Sequence, residues 1–476
     1  MSVSGSVHSA MTAQVPLIIP VENQVRELDP KLLLACIAAR RGFSSIIGSH
    51  RKIDFRIASL PRSLYLCKSF TVMNLKMFQI MSRLGHEIVS WDEEALVHLP
   101  AEMYFSRRLS PRSLKYVSHL FAWGDDNATL WRQYPGMRKA MPIHVTGNPR
   151  GDLLRPEICN FYQADAGEIR RSFGKFILVN TNFNHVNAFF PSQNLFRPVN
   201  RAGEAPGFGK AGKGMSREFA ETLRDHKQAL FDHFRQLIPM LEQAFPDCTI
   251  VLRPHPTENQ AVYHRIADRC KRVRVTNEGN VVAWLMATEA LIHNGCTTGV
   301  EACVMGVPAI SYRPVVNDRI DQGFYHLPNQ LSHQCFNFQE LRATLERLLC
   351  GELGAADGEE RSSLMDRYIT ARDGSLACER MVDVLESISQ GRSGLPGPGS
   401  SSQLAGLCLA NGRRLLKWFK SWLPGSHAPP EFHRHRYPGN TLEDLRQRIT
   451  RLQHVLGDST RLNVEQVYDQ IFRISA

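Results

Sequence analysis

Short apolar and β-branched runs alternate with stretches of helical periodicity along this chain, and the whole alternation occurs twice. That pattern constrains the fold strongly, because consecutive parallel strands need a crossover, and a helix is the crossover that also covers the sheet. In the first series PLIIPV at Pro16–Val21 reads as a strand, KLLLACIAARR at Lys31–Arg41 as a helix closed by Gly42, and Phe43–Ile47 as the next strand. Further strands are predicted at Ser63–Cys67, Glu87–Ser90, His119–Trp123 and Ile143–Thr146. The second series opens with FILVN after Lys175, passes through a long helix near Ser216–Phe245, and continues in strands at Cys248–Leu252, Arg272–Val275, Ala290–His293 and Ala309–Tyr312.

Length and composition fit two such units. At 476 residues the chain exceeds one ordinary core, and 43% hydrophobic against 22% charged residues excludes wholesale disorder. The expected organisation is α/β. It has a disordered N-terminus over 1–14, a doubly wound domain over 15–165 and a second over 170–390. A flexible Gly/Pro/Ser linker follows over 391–403, then a tail of basic amphipathic and docking helices over 404–476. Arg201–Gly214 (RAGEAPGFGKAGKG) reads as a Gly-rich loop and not a dinucleotide fingerprint, because it joins no strand to a helix.

Eleven cysteines without a CxxC pair read as free thiols of a reducing compartment. The first residues lack a charged segment followed by an apolar one, so no export signal is expected. Nor does any run approach the roughly 18–20 apolar residues that span a bilayer. A net charge of +11 favours an anionic partner, and from Leu404 onward eleven Lys/Arg stand against six Asp/Glu. Within Leu404–Leu423 a helix puts Leu415, Phe419 and Trp422 on one face with Arg413, Arg414, Lys417 and Lys420 at its sides. That pattern fits a helix lying on an anionic membrane surface, and equally one packed on the protein itself. Nucleic acid is not expected, since the basic residues are not interleaved with aromatics as base stacking requires.

The most informative motif is HNGCTTGVEACVMGVPAISY at His293–Tyr312. A strand ends in Asn294, Gly295 and two threonines, Thr297 and Thr298, and a helix starts with Glu301 three residues after Thr298 in a capping-box spacing. Free N–H groups and hydroxyls at such a helix start suit a phosphate; a cap with no further role is the competing reading. Arg253-Pro254-His255-Pro256 follows the CTIVL strand directly, at the carboxyl edge where open α/β sheets bind ligands. The prolines fix His255, whose imidazole can donate to a phosphate, with Arg253 adding charge. Asn180 and Asn182 in NTNFNH follow the first strand of the same half, as turn residues or as donor contacts.

In the first half, carboxylates cluster at strand ends: Glu22 beside Arg26 and Glu27, and Asp92, Glu93 and Glu94 after HEIVS. They are the candidate base or nucleophile for a group transfer, or else acidic helix caps. Asp125 and Asp126 form a weaker third group, and Arg150 stands at the turn out of the last strand, where it can face the cleft. No His/Cys/Asp set has metal-ligand spacing, so no metal or other cofactor is expected.

Taken together, IPVENQVRELDPKLLLACIAARRGF, WDEEAL, FAWGDDN, VTGNPRGDLLRPE, VNTNFNHVN, RPHPTEN, the His293–Tyr312 motif and HRYPGNTLEDL resemble the surface polysaccharide biosynthesis proteins of bacteria. The second-half motifs are also similar to those of capsule-type glycosyltransferases that use cytidine nucleotides, including β-Kdo transferases, polysialyltransferases and teichoic acid glycerophosphotransferases. The resemblance implies a GT-B fold of two Rossmann-like domains facing a central cleft, the first for the acceptor and the second for the nucleotide sugar. It implies His255 and Thr297 or Thr298 on the donor phosphate, Glu301 on a ribose or ordering the loop, and CMP-Kdo or a similar CMP-linked acidic sugar as donor. The acceptor it implies is a cell-surface polysaccharide or lipopolysaccharide, free or lipid-linked, handled in the cytoplasm at the inner membrane's cytoplasmic face. A UDP-sugar 2-epimerase-like enzyme and a non-catalytic nucleotide-binding scaffold are the alternatives.

Overall fold

The computed structural model describes residues 15–199, 205–321, 323–392, 397–422 and 430–476. The stretch over 1–14, expected to be disordered, and Leu423 lie outside them, as do the first residues of the Arg201–Gly214 loop. The first half runs β1 (Leu17–Val21), α1 (Gln24–Arg40), β2 (Ser45–Ser49), β3 (Leu64–Cys67), α2 (Leu75–Leu84), β4 (Glu87–Ser90), β5 (Val117–Ala122) and β6 (Ile143–Val145). These strands lie parallel in the order 2-1-3-4-5-6. The chain leaves β1 toward β2 and then returns to the other side of β1 with β3, which makes the β1/β3 boundary a topological switch point.

The second half runs β7 (Phe176–Thr181), α3 (Arg217–Ala244), β8 (Thr249–Pro254), β9 (Val273–Val275), α4 (Val281–Ala287), β10 (Ala290–His293), α5 (Thr297–Val304), β11 (Ala309–Tyr312) and β12 (His333–Cys335). Its six strands are all parallel, in the order 12-11-10-7-8-9. Here the switch point lies between β7 and β10, where Asn180 pairs with His293, and Asn180 pairs on its other side with Arg253 of β8. The register therefore brings the NTN, RPHP and HNGCTT segments to one carboxyl edge.

The last stretch departs from the expectation. Helix α6 (Ala377–Arg392) returns to pack on α1 of the first half, and the expected linker shrinks, because α6 runs to Arg392 and α7 (Ser400–Ser421) already begins at Ser400. Asp152 anchors this return: its carboxylate accepts the Ala377 and Cys378 N–H groups at 2.8 Å each. After α7, α8 (Pro430–Arg436) and α9 (Leu442–Val455), the tail is not helical throughout. It ends in an antiparallel hairpin, β13 (Asn463–Tyr468) and β14 (Ile471–Ser475), and β14 pairs antiparallel with β2. The first sheet thus has eight strands, and its β2 edge is covered instead of left as an open template. Covered by the sheet on one side and by α6 and α9 on the other, α1 is buried from Glu27 through Ala39. This double covering explains why KLLLACIAA is apolar all round and not on one stripe.

Candidate functional site

Between the halves lies a cleft of about 860 Å³, counting its open mouth. Its second-half wall is built at the β7/β10 switch point from Asn180, Thr181, Arg253–Pro256, Cys296–Thr298 and Glu301; its first-half wall is built from Asn23, Val25, Arg26 and Arg150. Val281, Val282, Leu153 and Leu154 add an apolar side. Polar donors beside an apolar wall are what a ligand with a charged and a flat part requires.

His255 is held for one task. Its N–H donates to Glu258, and its Nδ1 accepts the Thr257 N–H (3.3 Å) and the Thr257 hydroxyl (2.8 Å). Accepting at Nδ1 leaves the proton on Nε2, the ring nitrogen left for the cleft. Burial, followed by the nearby Arg26, pushes the imidazole down to about 4, so at neutral pH it is an uncharged donor. Arg253 behind it donates to the Glu278 (2.6 Å) and Gly279 (2.5 Å) carbonyls and lies over Trp284. Burial pushes this guanidinium down to about 9 against the opposing charge of Glu278, and among the described residues it forms no salt bridge.

Arg150 donates to Glu301 at 2.5 Å, joining the first half to α5 of the second, and stacks over Trp123. Its Nη1 is buried without a hydrogen-bond partner, as are Nη2 of Arg26, Nδ2 of Asn277 and Oδ1 of Asn180, all on lining residues. Buried polar groups are nearly always paired, so three orphaned donors and one orphaned acceptor together mark a place where a ligand completes the set. Glu301 is the one carboxylate among the lining residues, and Arg150 neutralises it. The cleft is therefore positive and rich in donors.

The capping box expected at Thr298 and Glu301 does not form. The N-cap of α5 is Cys296, without a side-chain cap, and Glu301 is drawn away by Arg150. Thr298 contacts the Cys296 thiol at 2.6 Å, whereas the Thr297 hydroxyl has no hydrogen bond among the described residues and lines the cleft. Gly295 has φ +79°, and a Cβ there would stand 2.7 Å from the Tyr325 ring, so this turn requires glycine. Asn294 and Asn182 are positioned differently from Asn180. The Asn294 side chain accepts from the Asn182 N–H (2.9 Å) and donates to its carbonyl, which also accepts from Lys227 (2.9 Å). They shape the loop beneath the site.

The four acidic candidates separate. Asp92 is buried and bound by Arg108 and by the Tyr104 hydroxyl (2.7 Å). Glu93 is buried against Trp91 Nε1 (3.0 Å), Lys31 and Arg150. Glu22 pairs with Lys68 (2.7 Å) and Arg436 and lines a different cavity. Burial pushes Glu22 up, but Lys68 and Arg436 outweigh it and hold the carboxyl far below its ordinary range. None of these three lines the cleft. Glu94 is half-exposed and pairs at 3.1 Å with Arg26, which does line it and which holds Glu94 down to about 2. Asp126 pairs with Arg367, away from the cleft. Nothing in the sequence singled out Asn277 or Lys227, and Arg26 stood only as a neighbour of Glu22; Arg150, expected at the turn out of the last strand and toward the cleft, does line it. Lys227 lies buried under the NTN loop, where burial pushes it down to about 7. Among the described residues no three His, Cys, Asp or Glu side chains converge as a metal-holding group.

No protein-family model matches the chain, and no curated protein matches it. Among solved structures, a variant of the wall teichoic acid polymerase TagF soaked with CDPG aligns with a TM-score of 0.52 at 12% identity, over 80% of this chain and 90% of that one. The UDP-GlcNAc 2-epimerase of Methanocaldococcus jannaschii in complex with UDP-GlcNAc and UDP aligns with a TM-score of 0.44 at 14% identity, over 78% of this chain and 99% of that one. With its two parallel α/β halves facing one cleft, the chain has the GT-B fold.

Proposed function

We propose that the chain is a glycosyltransferase that takes a sugar from a nucleotide donor bound in the interdomain cleft and passes it to a cell-surface polysaccharide or lipopolysaccharide acceptor. The observation that carries this reading is the set of donors that converge on the cleft: His255 Nε2–H and the Thr297 hydroxyl from the second half, and from the first half the nitrogens of Arg26 and Arg150 that have no hydrogen-bond partner. They can take up the charge that develops on a departing phosphate without a proton changing hands, which is electrostatic stabilisation by groups already in place. Two guanidiniums beside the imidazole suit a donor with two anionic groups. The motif resemblance favours CMP-Kdo or another CMP-linked acidic sugar, and no metal is required in this scheme. Among the acidic candidates Glu94 is the half-exposed one, pairs with the lining residue Arg26 and is ionised, and we assign it to the acceptor hydroxyl.

The outward face of α7 is the proposed contact with an anionic membrane surface. Leu404, Leu415, Leu416, Trp418, Phe419 and Trp422 are each more than half exposed, while Gly406, Ala410 and Ser421 on the opposite side are buried. Among the described residues no helix is long and apolar enough to cross a membrane.

A thermal-shift series with CMP, CDP, UDP and GDP tests the donor class, since a ligand bound only by the native state raises apparent stability. Stabilisation by CMP above the others supports the proposed donor; preference for UDP with conversion of a UDP-sugar in the absence of acceptor would replace it with an epimerase. Nucleotide binding without turnover of any nucleotide sugar would leave a scaffold.

A further inference from the structure

The carboxyl ends of β1 and β2 open on a second cavity, about 1170 Å³ with its mouth, which shares no lining residue with the interdomain cleft. Helices α7 and α8 roof it with Lys417, Lys420 and Arg436, and Arg51 rises from its floor. Its two carboxylates are already neutralised: Glu22 by Lys68 and Arg436, and Asp54 by Arg413 (3.3 Å) and Lys417 (3.9 Å). Arg51 and Lys420 have no carboxylate partner among the described residues. Burial pushes Arg51 below its ordinary value, and Lys417 likewise despite Asp54; Arg51 lies over the Phe55 ring, and no carboxylate among the described residues meets Arg51 or Lys420. An anion is the missing component.

The same last turns of α7 that supply Lys417, Lys420 and Ser421 to this cavity carry Phe419 and Trp422 outward, and Met73 at the cavity mouth is 85% exposed. A basic cavity opening beside an aromatic, exposed helix face matches a molecule with an anionic head and an apolar body. A free phosphate would have no use for the apolar rim. We propose that this cavity binds the anionic headgroup of a membrane lipid whose chains stay in the bilayer beneath α7. The inference rests on the reading of α7 as an interfacial helix. It adds a specific headgroup site that diffuse surface charge does not provide.

Flotation of the full chain with phosphatidylcholine vesicles, with and without phosphatidylglycerol, tests the proposal. The wild type is expected to bind the phosphatidylglycerol vesicles more tightly, and Arg51→Gln with Lys420→Gln to reduce that preference about tenfold or more. Binding to phosphatidylcholine alone should persist in that variant. Arg56→Gln with Arg414→Gln removes two cations lying outside the cavity and should leave the preference nearly intact; an equal loss there overturns the cavity in favour of diffuse charge. Unchanged preference in the Arg51/Lys420 variant also overturns the site, while the α7 reading survives. Phe419→Ser with Trp422→Ser tests that reading separately and should abolish binding to both vesicles. A wild type that floats with neither vesicle, yet is stabilised by glycerol phosphate in an Arg51- and Lys420-dependent way, would replace the lipid by a free phosphate compound.

Discussion

Replacing Arg150 by Met tests how the two halves are joined at the cleft. The Arg150 guanidinium and the Glu301 carboxylate are 2.5 Å apart, both buried, and they belong to opposite halves of the chain. Removing the cation leaves Glu301 in the cleft wall with no hydrogen-bonded partner for its charge among the described residues. Breaking one side of a buried pair costs about 3–5 kcal/mol, because the remaining ion is desolvated and unpaired. In a unit of about 150–250 residues each kcal/mol moves the midpoint by about 2–4 °C, so Arg150→Met should lower it by about 6–20 °C. The double variant Arg150→Met with Glu301→Leu removes both charges and should recover most of the loss, giving a coupling of about 2 kcal/mol or more. Calorimetry and denaturant unfolding of the four proteins give that cycle. A single variant within about 1 kcal/mol of wild type, or a double variant as unstable as the sum of the singles, would refute the reasoning.

Removing the imidazole with His255→Ala should leave the fold intact and weaken nucleotide binding by about tenfold to a hundredfold, the worth of one hydrogen bond to a charged group, as titration calorimetry with CMP would read. The same residue has a pH signature. Its folded value, about 4, lies below the ordinary 6.5, so its contribution to stability is present above about 6.5 and is lost as pH falls toward 4. Unfolding free energy should therefore fall less between pH 7 and 5 in His255→Gln than in wild type; equal slopes would contradict the buried neutral ring. At the β10/α5 junction a Cβ on Gly299 would stand 2.4 Å from the His293 ring, so Gly299→Ala should destabilise by about 1–3 kcal/mol in urea unfolding. Asp152→Ala removes both acceptors at the start of α6 and should cost about 1–2 kcal/mol, with faster amide exchange over residues 377–380 as its local sign.

The parallel strands were legible because buried strands are short apolar runs that local composition reveals. Glu87–Ser90, Ala290–His293 and Ala309–Tyr312 fall where the sequence puts them. By contrast, β12 carries HQC and has no apolar signal, and the hairpin β13–β14 mixes Glu465, Gln466 and Arg473 with its apolar residues. Its position is decided by an open β2 edge more than 400 residues earlier in the chain, where Gly48 admits the Gln470 backbone. The second-half wall of the cleft was visible for a related reason: RPHP, NTN and HNGCTT each follow a strand directly, and parallel strands deliver their ends to one edge. Salt bridges between distant residues were not. Nothing near WDEEAL announces that Arg108 and Tyr104 occupy Asp92, that Arg436 reaches Glu22, or that Arg150 takes Glu301 from its cap.

The central claim is that a nucleotide occupies the interdomain cleft, and photo-crosslinking locates it most directly. An azido-cytidine nucleotide, irradiated with the full chain and mapped by peptide mass spectrometry, should label the segments around Arg253–Pro256, Asn277–Val282 and Cys296–Glu301, and unlabelled CMP should compete it away. Labelling that CMP leaves unchanged, or that falls on the tail cavity while these segments stay clean, would contradict it.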